Sequence, residues 1–586
     1  MKQFFKMMLA TIAGIVIISF VGFFLLVAII SVADFSGSKP VDLRDNSVLK
    51  IALNKQVEDR EASNPLSYLD PLTGTINMPD GLNNILRGIE KATFDPRIKG
   101  IYLDLNDVKA GIATVEEIRN AIVAYKQSGK FVIAYADEFS QKAYYLATIA
   151  DKIYMNPHGQ INFIGLSSEI MSYKGLMDKL GIEMQILRHG KFKAAVEPFS
   201  MTEISPENRE QISVYMGSIW NTMLQAISSE RNISIDELNR LADLMEPSTA
   251  VAAVDRGFID KLIYKDELVS ELCKYTESAS ESDLRYIAIS DYAHSPSTTA
   301  KYSEDKIAII YASGEIARGE GPSGVMSVDI SKAIRQAKLD KAVKAIVFRI
   351  NSPGGDALAS EIIARELELA QQIKPVIVSM GNLAASGGYW IASPAEAIVA
   401  NRTTITGSIG VFGMAPNLKK AMNENLGLNV SVVGTNKYSD YVSIYRPLSE
   451  TEKNRLQKTI EDIYSKFIDK VSKFRHLKPE EVDCIGQGRV WSGENALDNS
   501  LIDRIGGLTE AVALAAERAG ISNYRTIDLP REQSSLEKIM SLLGTHIREK
   551  APEKELQRAL RHYEYISSAV SRVGIMARMS YNIEID

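Results

Sequence analysis

Hydrophobic positions along this chain of 586 residues follow distinct patterns. Met7 to Ala33 is an uncharged apolar run preceded by Lys2 and Lys6, long enough as a helix to cross a hydrocarbon core of ~30 Å. It exceeds the roughly 7–15 apolar residues of a cleavable signal peptide, so an uncleaved, single-pass membrane anchor is expected. The two lysines put its N-terminus in the cytoplasm and everything after Ala33 outside. Further on, the β-branched runs "AIVFRI" (345–350) and "PVIVSM" (375–380) bracket "ALASEIIARELELAQQI" (357–373), whose apolar residues recur at helical spacing. Strand, helix, strand over such a length predicts a right-handed crossover between parallel strands. "TEKNRLQKTIEDIYSKFIDKVSKF" (451–474) predicts a longer amphipathic helix. The class is α/β.

The pattern occurs twice. Sliding the sequence by 245 residues lays "KGIYLDLND" on "KAIVFRINS", and the match continues without a gap to Gly165 on Gly410. Asn106 meets Asn351, Tyr144 meets Tyr389 and Asn156 meets Asn401; later, "FIDKL" (258–262) meets "LIDRI" (501–505) at a shift of 243. The expected organisation is therefore residues 1–45 as N-terminus, anchor and linker, 46–300 as a first repeat, 301–530 as a second, and 531–586 as a largely helical tail ending in the alternating "GIMARMSYNIEID". The polar stretch 291–306, with Ser, Thr and Pro, marks the boundary between repeats.

Composition narrows the function. A net charge of −6 offers no basic footprint for nucleic acid. Two distant cysteines, Cys273 and Cys484, suit neither a disulfide framework nor a zinc site and read as unpaired structural thiols.

The two copies differ in chemistry at two loops. After the strand, the second copy has "NSPGGD" (351–356) where the first has "NDVKAG" (106–111). Glycines at such a turn leave backbone N–H groups approachable, as an oxyanion requires. At the second loop Ser386, Gly387 and Gly388 stand opposite Gln141, Lys142 and Ala143, with "YWIA" and "YYLA" keeping their shape behind. Ser386 suits a nucleophile, although a serine ahead of a helix also suits an N-cap. The second copy reads as active and the first as structural.

A serine nucleophile needs a base. None of the six histidines lies between Ser386 and Gly410, and "AASGG" does not fit a G-x-S-x-G elbow, so lysine is the remaining choice. That lysine must be neutral, which demands an apolar setting. Lys193 in "GKFKAAVEPF" and Lys437 in "GTNKYSDYV" occupy nearly the same slot in the two copies, with Lys191 a weaker candidate. Spacing leaves the choice open.

With "FKAAVEPF", "NSPGGD", "ASGGYWIA", "TGSIGVFG", the anchor and both repeats, the chain resembles the signal peptide peptidase A (protease IV) family, peptidase family S49, in its long duplicated form. The resemblance implies a tandem pair of Clp-protease/crotonase-like domains. It implies Ser386 as nucleophile, Lys193 as general base supplied by the first copy across the domain boundary, and Ser408 orienting the lysine. Backbone N–H groups of Gly387 and of Gly354 or Gly355 would form the oxyanion hole. It further implies a ring of four chains, a bacterial inner (cytoplasmic) membrane location with the catalytic part periplasmic or extracytoplasmic, and hydrophobic peptides such as signal-peptide remnants as substrates. No metal or nucleotide cofactor is implied. Two rival classes share the fold: a crotonase-type acyl-thioester enzyme, which needs neither the serine nor an anchor, and a non-catalytic membrane scaffold.

Overall fold

The computed structural model describes residues 43–61, 77–296, 303–321, 323–531 and 574–578, together with Gly14 and Tyr68. Apart from Gly14, the predicted anchor at Met7–Ala33 lies outside these residues, as does most of the 531–586 tail. Among the described residues no helix is long and apolar enough to cross a membrane.

Continuous apolar runs become strands buried on both faces, as parallel sheets require. Val343–Ser352 and Val376–Ala385 pair in parallel, and Ala357–Gln371 forms the helix between them. The Asp356 side chain caps that helix by accepting from the Ala359 N–H at 2.8 Å. In the second copy the strands lie in the order Arg504–Ile505, Ala397–Ala400, Val376–Ala385, Val343–Ser352, Lys306–Ser313, Arg525–Leu529. In the first they run Lys261–Leu262, Lys152–Met155, Phe131–Ala136, Ile98–Asp104, Ser47–Ala52, Arg285–Ala288. These six strands correspond between the copies, and the second sheet adds Ile405–Gly407 and Val490–Ser492, which branch from Val376–Ala385.

The duplication extends to single hydrogen bonds. Tyr144 Oη donates to the Phe258 carbonyl at 3.0 Å, and Tyr389 Oη donates to the equivalent Leu501 carbonyl at 2.8 Å. Both tyrosines are fully buried, so each phenol needs such an acceptor.

Although the sequence divides into two repeats, one large apolar cluster spans both. Helix Ile112–Lys126 of the first copy packs on strand Val376–Ala385 of the second, and helix Leu508–Ala519 packs on the same sheet. Ile118 and Ile122 thereby join one apolar cluster with Val347, Ile377 and Leu514. The first copy also donates a strand: Glu183–His189 pairs antiparallel with Val411–Asn417 along its whole length. The lysine segment follows directly after this strand, which brings it against the second copy.

Candidate active site

Ser386 sits where strand Val376–Ala385 gives way to the short helix Gly387–Ala392. Its backbone adopts φ 57° and ψ −114°, a conformation that costs a non-glycine residue on the order of 1–3 kcal/mol and that clusters at functional turns. Its N–H donates to the Gly407 carbonyl at 2.8 Å, which pins the turn. The N-cap role anticipated as an alternative is not taken, because the side chain makes no capping bond. Gly388 must stay small, since a Cβ there would lie 2.9 Å from the Ser352 carbonyl oxygen of the glycine-rich loop.

The Ser386 hydroxyl instead meets a lysine. Lys193 Nζ lies 2.7 Å from Ser386 Oγ, 3.0 Å from Ser408 Oγ and 3.1 Å from the Ser408 carbonyl oxygen. Lys193 is only 1% exposed, and these partners are neutral oxygens rather than carboxylates. Burial therefore pushes its pKa well below the ordinary lysine value.

Several contacts hold the lysine segment in place. Phe192 N–H donates to the Gln487 carbonyl at 3.0 Å, and Gln211 bridges the two copies, donating to the Phe192 carbonyl at 3.1 Å and accepting from Val490 N–H at 3.2 Å. A Cβ on Gly488, which has φ 84°, would come within 2.6 Å of Lys193 Cβ. Glu197 Oε1 accepts from Ser205 Oγ at 2.6 Å and Glu197 Oε2 accepts from Asn208 Nδ2 at 2.9 Å, bracing the chain four residues beyond the lysine. Gln211, Gly488 and Glu197 were not singled out from the sequence.

The other lysine candidates lie elsewhere. Lys437 is exposed and lies over the Tyr438 ring, and Lys191 is exposed over the Phe192 ring. In the first copy the equivalent of the serine, Gln141, turns its amide onto backbone: Oε1 accepts from Gly165 N–H at 2.9 Å and Nε2 donates to the Gly165 carbonyl at 3.1 Å. Phe163, opposite Ser408, packs among Tyr144, Trp220 and Phe258. Neither position carries a hydroxyl in the first copy.

Of the expected oxyanion donors, Gly387 opens a helix, so its N–H has no intrahelical acceptor. Gly354 N–H donates to Ser352 Oγ at 3.1 Å and would have to exchange that partner for an oxyanion. For Ser408 the geometry gives a direct expectation. Ser408→Ala removes one of the hydrogen bonds aligning the lysine and should lower kcat/KM about tenfold, measured on a fluorogenic peptide, with little change in stability.

The arrangement is a buried amine against a strained serine beside backbone donors, the equipment for acyl transfer. Comparison with known proteins shows the family. The description "Peptidase family S49" matches twice, over residues 124–278 and 368–522. Protease 4 of Haemophilus influenzae is 37% identical over 515 residues, covering 85% of this chain and 83% of the relative. The chloroplastic serine protease SPPA of Arabidopsis thaliana is 32% identical over 520 residues, covering 86% and 74%. Among solved structures, a ClpP1 variant from Listeria monocytogenes matches 35% of this chain and 94% of its own, at 16% identity and a TM-score of 0.24. The chain belongs to peptidase family S49, with its domain present twice, and is a serine protease.

Proposed function

We propose that this serine protease is a membrane-anchored endopeptidase using a Ser386–Lys193 dyad to degrade cleaved signal peptides and other hydrophobic peptides on the extracytoplasmic side of a bacterial inner membrane. The observation that carries the dyad is the 2.7 Å contact between Ser386 Oγ and a lysine amine shut away from water and from carboxylates. Neutral Lys193 takes the hydroxyl proton as Ser386 Oγ attacks the peptide carbonyl. The oxyanion forms beside Gly387 N–H and the Gly354–Gly355 loop. The resulting ammonium returns the proton to the departing amine, and a water, deprotonated by the same lysine, then frees the acyl group.

The run Met7–Ala33 supports the anchor, and the anchor supports the substrate class, since it keeps the protease beside the bilayer where such peptides remain. A ring of four chains belongs to the same proposal through the family resemblance.

The test is the pH dependence of kcat/KM on a fluorogenic apolar peptide, with Ser386→Ala as blank. Only the neutral amine accepts a proton, so activity should be lost on the acid side and rise as pH climbs through the lowered Lys193 pKa. That rise should lie well below the ordinary lysine value of ~10.4. A limb in the ordinary lysine range, or no acid limb at all, would assign the proton transfer to another group.

A further inference from the structure

The segment Gly486–Trp491 touches both sides of the Lys193 cradle. On one side the Gln487 carbonyl accepts from Phe192 N–H at 3.0 Å, and the Arg489 guanidinium covers the Phe192 ring, 4.7 Å from its centroid. On the other side the Arg489 carbonyl accepts from Ser408 N–H at 2.6 Å, and Gly488 N–H donates to the Ile409 carbonyl at 2.6 Å. Phe192 adjoins Lys193, and Ser408 is the second hydroxyl on its amine, so this arch sets the distance between them. Gln487 has a φ of 51°, and a non-glycine residue at positive φ persists only where its neighbours hold it.

Tyr464, on helix Glu450–Arg475, supplies that hold. The side chain is buried; its Oη accepts from Gln487 N–H at 3.0 Å and donates to Asp483 Oδ1 at 2.5 Å. Gln487 Nε2 also donates to Asp483 Oδ2 at 3.2 Å. Burial, then the hydrogen bond to Asp483, push the phenol pKa up, so it keeps its proton. His189, the last residue of strand Glu183–His189, stacks on the same ring with centroids 3.9 Å apart. The cations beside the lysine segment have partners of opposite sign. Arg188 Nη1 donates to the Lys193 carbonyl at 3.3 Å and pairs with Glu197 at 3.6 Å, and Arg489 pairs with Glu210 at 2.9 Å.

The first copy has the strut without the connection. Helices Pro206–Arg231 and Glu450–Arg475 are both 26 residues long, and a shift of 244 carries Trp220 onto Tyr464 and Asn239 onto Asp483. Trp220 Nε1 donates to Asn239 Oδ1 at 2.9 Å, the counterpart of the Tyr464–Asp483 bond. An indole N–H only donates, whereas a phenol donates and accepts at once. Only the phenol can hold the side-chain acceptor and a backbone N–H of the arch together. That capacity falls, like Ser386 and Ser408, in the copy that carries the chemistry.

We propose that Tyr464, braced by Asp483, is a positioning residue for the general base: its hydroxyl fixes the arch Gly486–Trp491, which keeps Lys193 and Ser408 in register and water away from Nζ. The proposal rests on the dyad reading for its effect on hydrolysis, but not for its effect on the lysine itself.

The test compares the full chain with Tyr464→Phe, which keeps the ring under His189 and deletes only the hydroxyl. One readout is the pH profile of kcat and KM on a fluorogenic apolar peptide. The other, in a Ser386→Ala background, is the midpoint pH for acetylation of Lys193 by acetic anhydride, followed by mass spectrometry. A loosened arch lets water reach the amine and relieves the desolvation that lowers its pKa. Both the acid limb and the acetylation midpoint should therefore move to higher pH, by about one unit or more. At neutral pH kcat should fall about tenfold to a hundredfold while KM stays within about twofold. Asp483→Ala should reproduce part of the shift, and Asp483→Asn, which still accepts from the phenol, should restore the starting values. Ile460→Ala, on the same helix but buried in the second copy's apolar cluster, should lower the urea midpoint and leave both pH values in place. If Tyr464→Phe moves the two pH values no further than Ile460→Ala does, the tyrosine only packs, and the proposal fails while the dyad stands. An acetylation midpoint that moves beside an acid limb that does not would uphold the arch and refute Lys193 as the base.

Discussion

Lys193→Ala is expected to hydrolyse a fluorogenic hydrophobic peptide no faster than Ser386→Ala, a fall of about 10³-fold or more from the starting chain. The expectation rests on the site having one base. Nζ of Lys193 is 2.7 Å from Ser386 Oγ, whereas Lys437 and Lys191 are exposed and engaged with ring faces elsewhere. Because nucleophile and base act as a unit, the double variant should lose no more than either single one. Lys193→Met separates chemistry from packing. Methionine fills much of the volume left by the alkyl stem, so this variant should be as inactive as Lys193→Ala while unfolding at the same denaturant concentration as the starting chain or higher, since a buried amine is costly to desolvate. Retention of most activity in a folded Lys193→Met chain would place the base elsewhere and refute the cross-copy dyad.

How much of this site could be read from the sequence depends on what one copy could reveal about the other. Ser386 and the Gly354–Gly355 loop stood out as candidates because the same frame carries Gln141 and "NDVKAG" in the first copy, so the shared scaffold cancels and the difference in residue type remains. Lys193 was not legible by that route. It lies in the copy without the serine, and its slot in the second copy also holds a lysine, so spacing offered it beside Lys437 and only the family resemblance chose between the two. The structure supplies the physical reason: strand Glu183–His189 crosses over to pair with Val411–Asn417, a non-local antiparallel contact that no local periodicity announces. Gly488 escaped for a related reason. It aligns at the 243 shift with Met245, which has a positive φ of 51°, but only in the second copy does a neighbour, Lys193, exclude a side chain there. The strands and crossover helices were legible from their apolar runs, but the continuous core joining both copies was not. Helix Ile112–Lys126 looks like an ordinary crossover helix until the second sheet covers its other side.

Arg349→Met should destabilise the folded chain by about 3–5 kcal/mol at neutral pH, the usual cost of removing one partner from a buried ion cluster. Arg349 is fully buried on strand Val343–Ser352, two residues before the glycine-rich loop begins at Asn351. Its guanidinium binds Asp59 at 2.7 Å and Glu117 at 2.7 Å, both from the first copy. Glu117 in turn accepts from Leu508 N–H at 2.8 Å and Asn401 Nδ2 at 2.9 Å, so one carboxylate ties three elements of the second copy to helix Ile112–Lys126. Methionine keeps the bulk and removes the charge, leaving two carboxylates facing a dry interface. Burial already pushes the Glu117 carboxyl up, with the guanidinium opposing that rise; without it the folded-state pKa climbs further. A raised carboxyl pKa means the folded state holds a proton that the unfolded state releases. The Glu117 part of the penalty is therefore absent below the unfolded value of ~4.3 and grows as pH rises above it toward the folded value. Urea midpoints measured at acidic and neutral pH should show the deficit of Arg349→Met widening with pH. Because the serine and its lysine come from opposite sides of this interface, folded Arg349→Met should also lose activity by more than its folded fraction explains. A deficit that is small or constant with pH would show that the cluster does not hold the two copies in register.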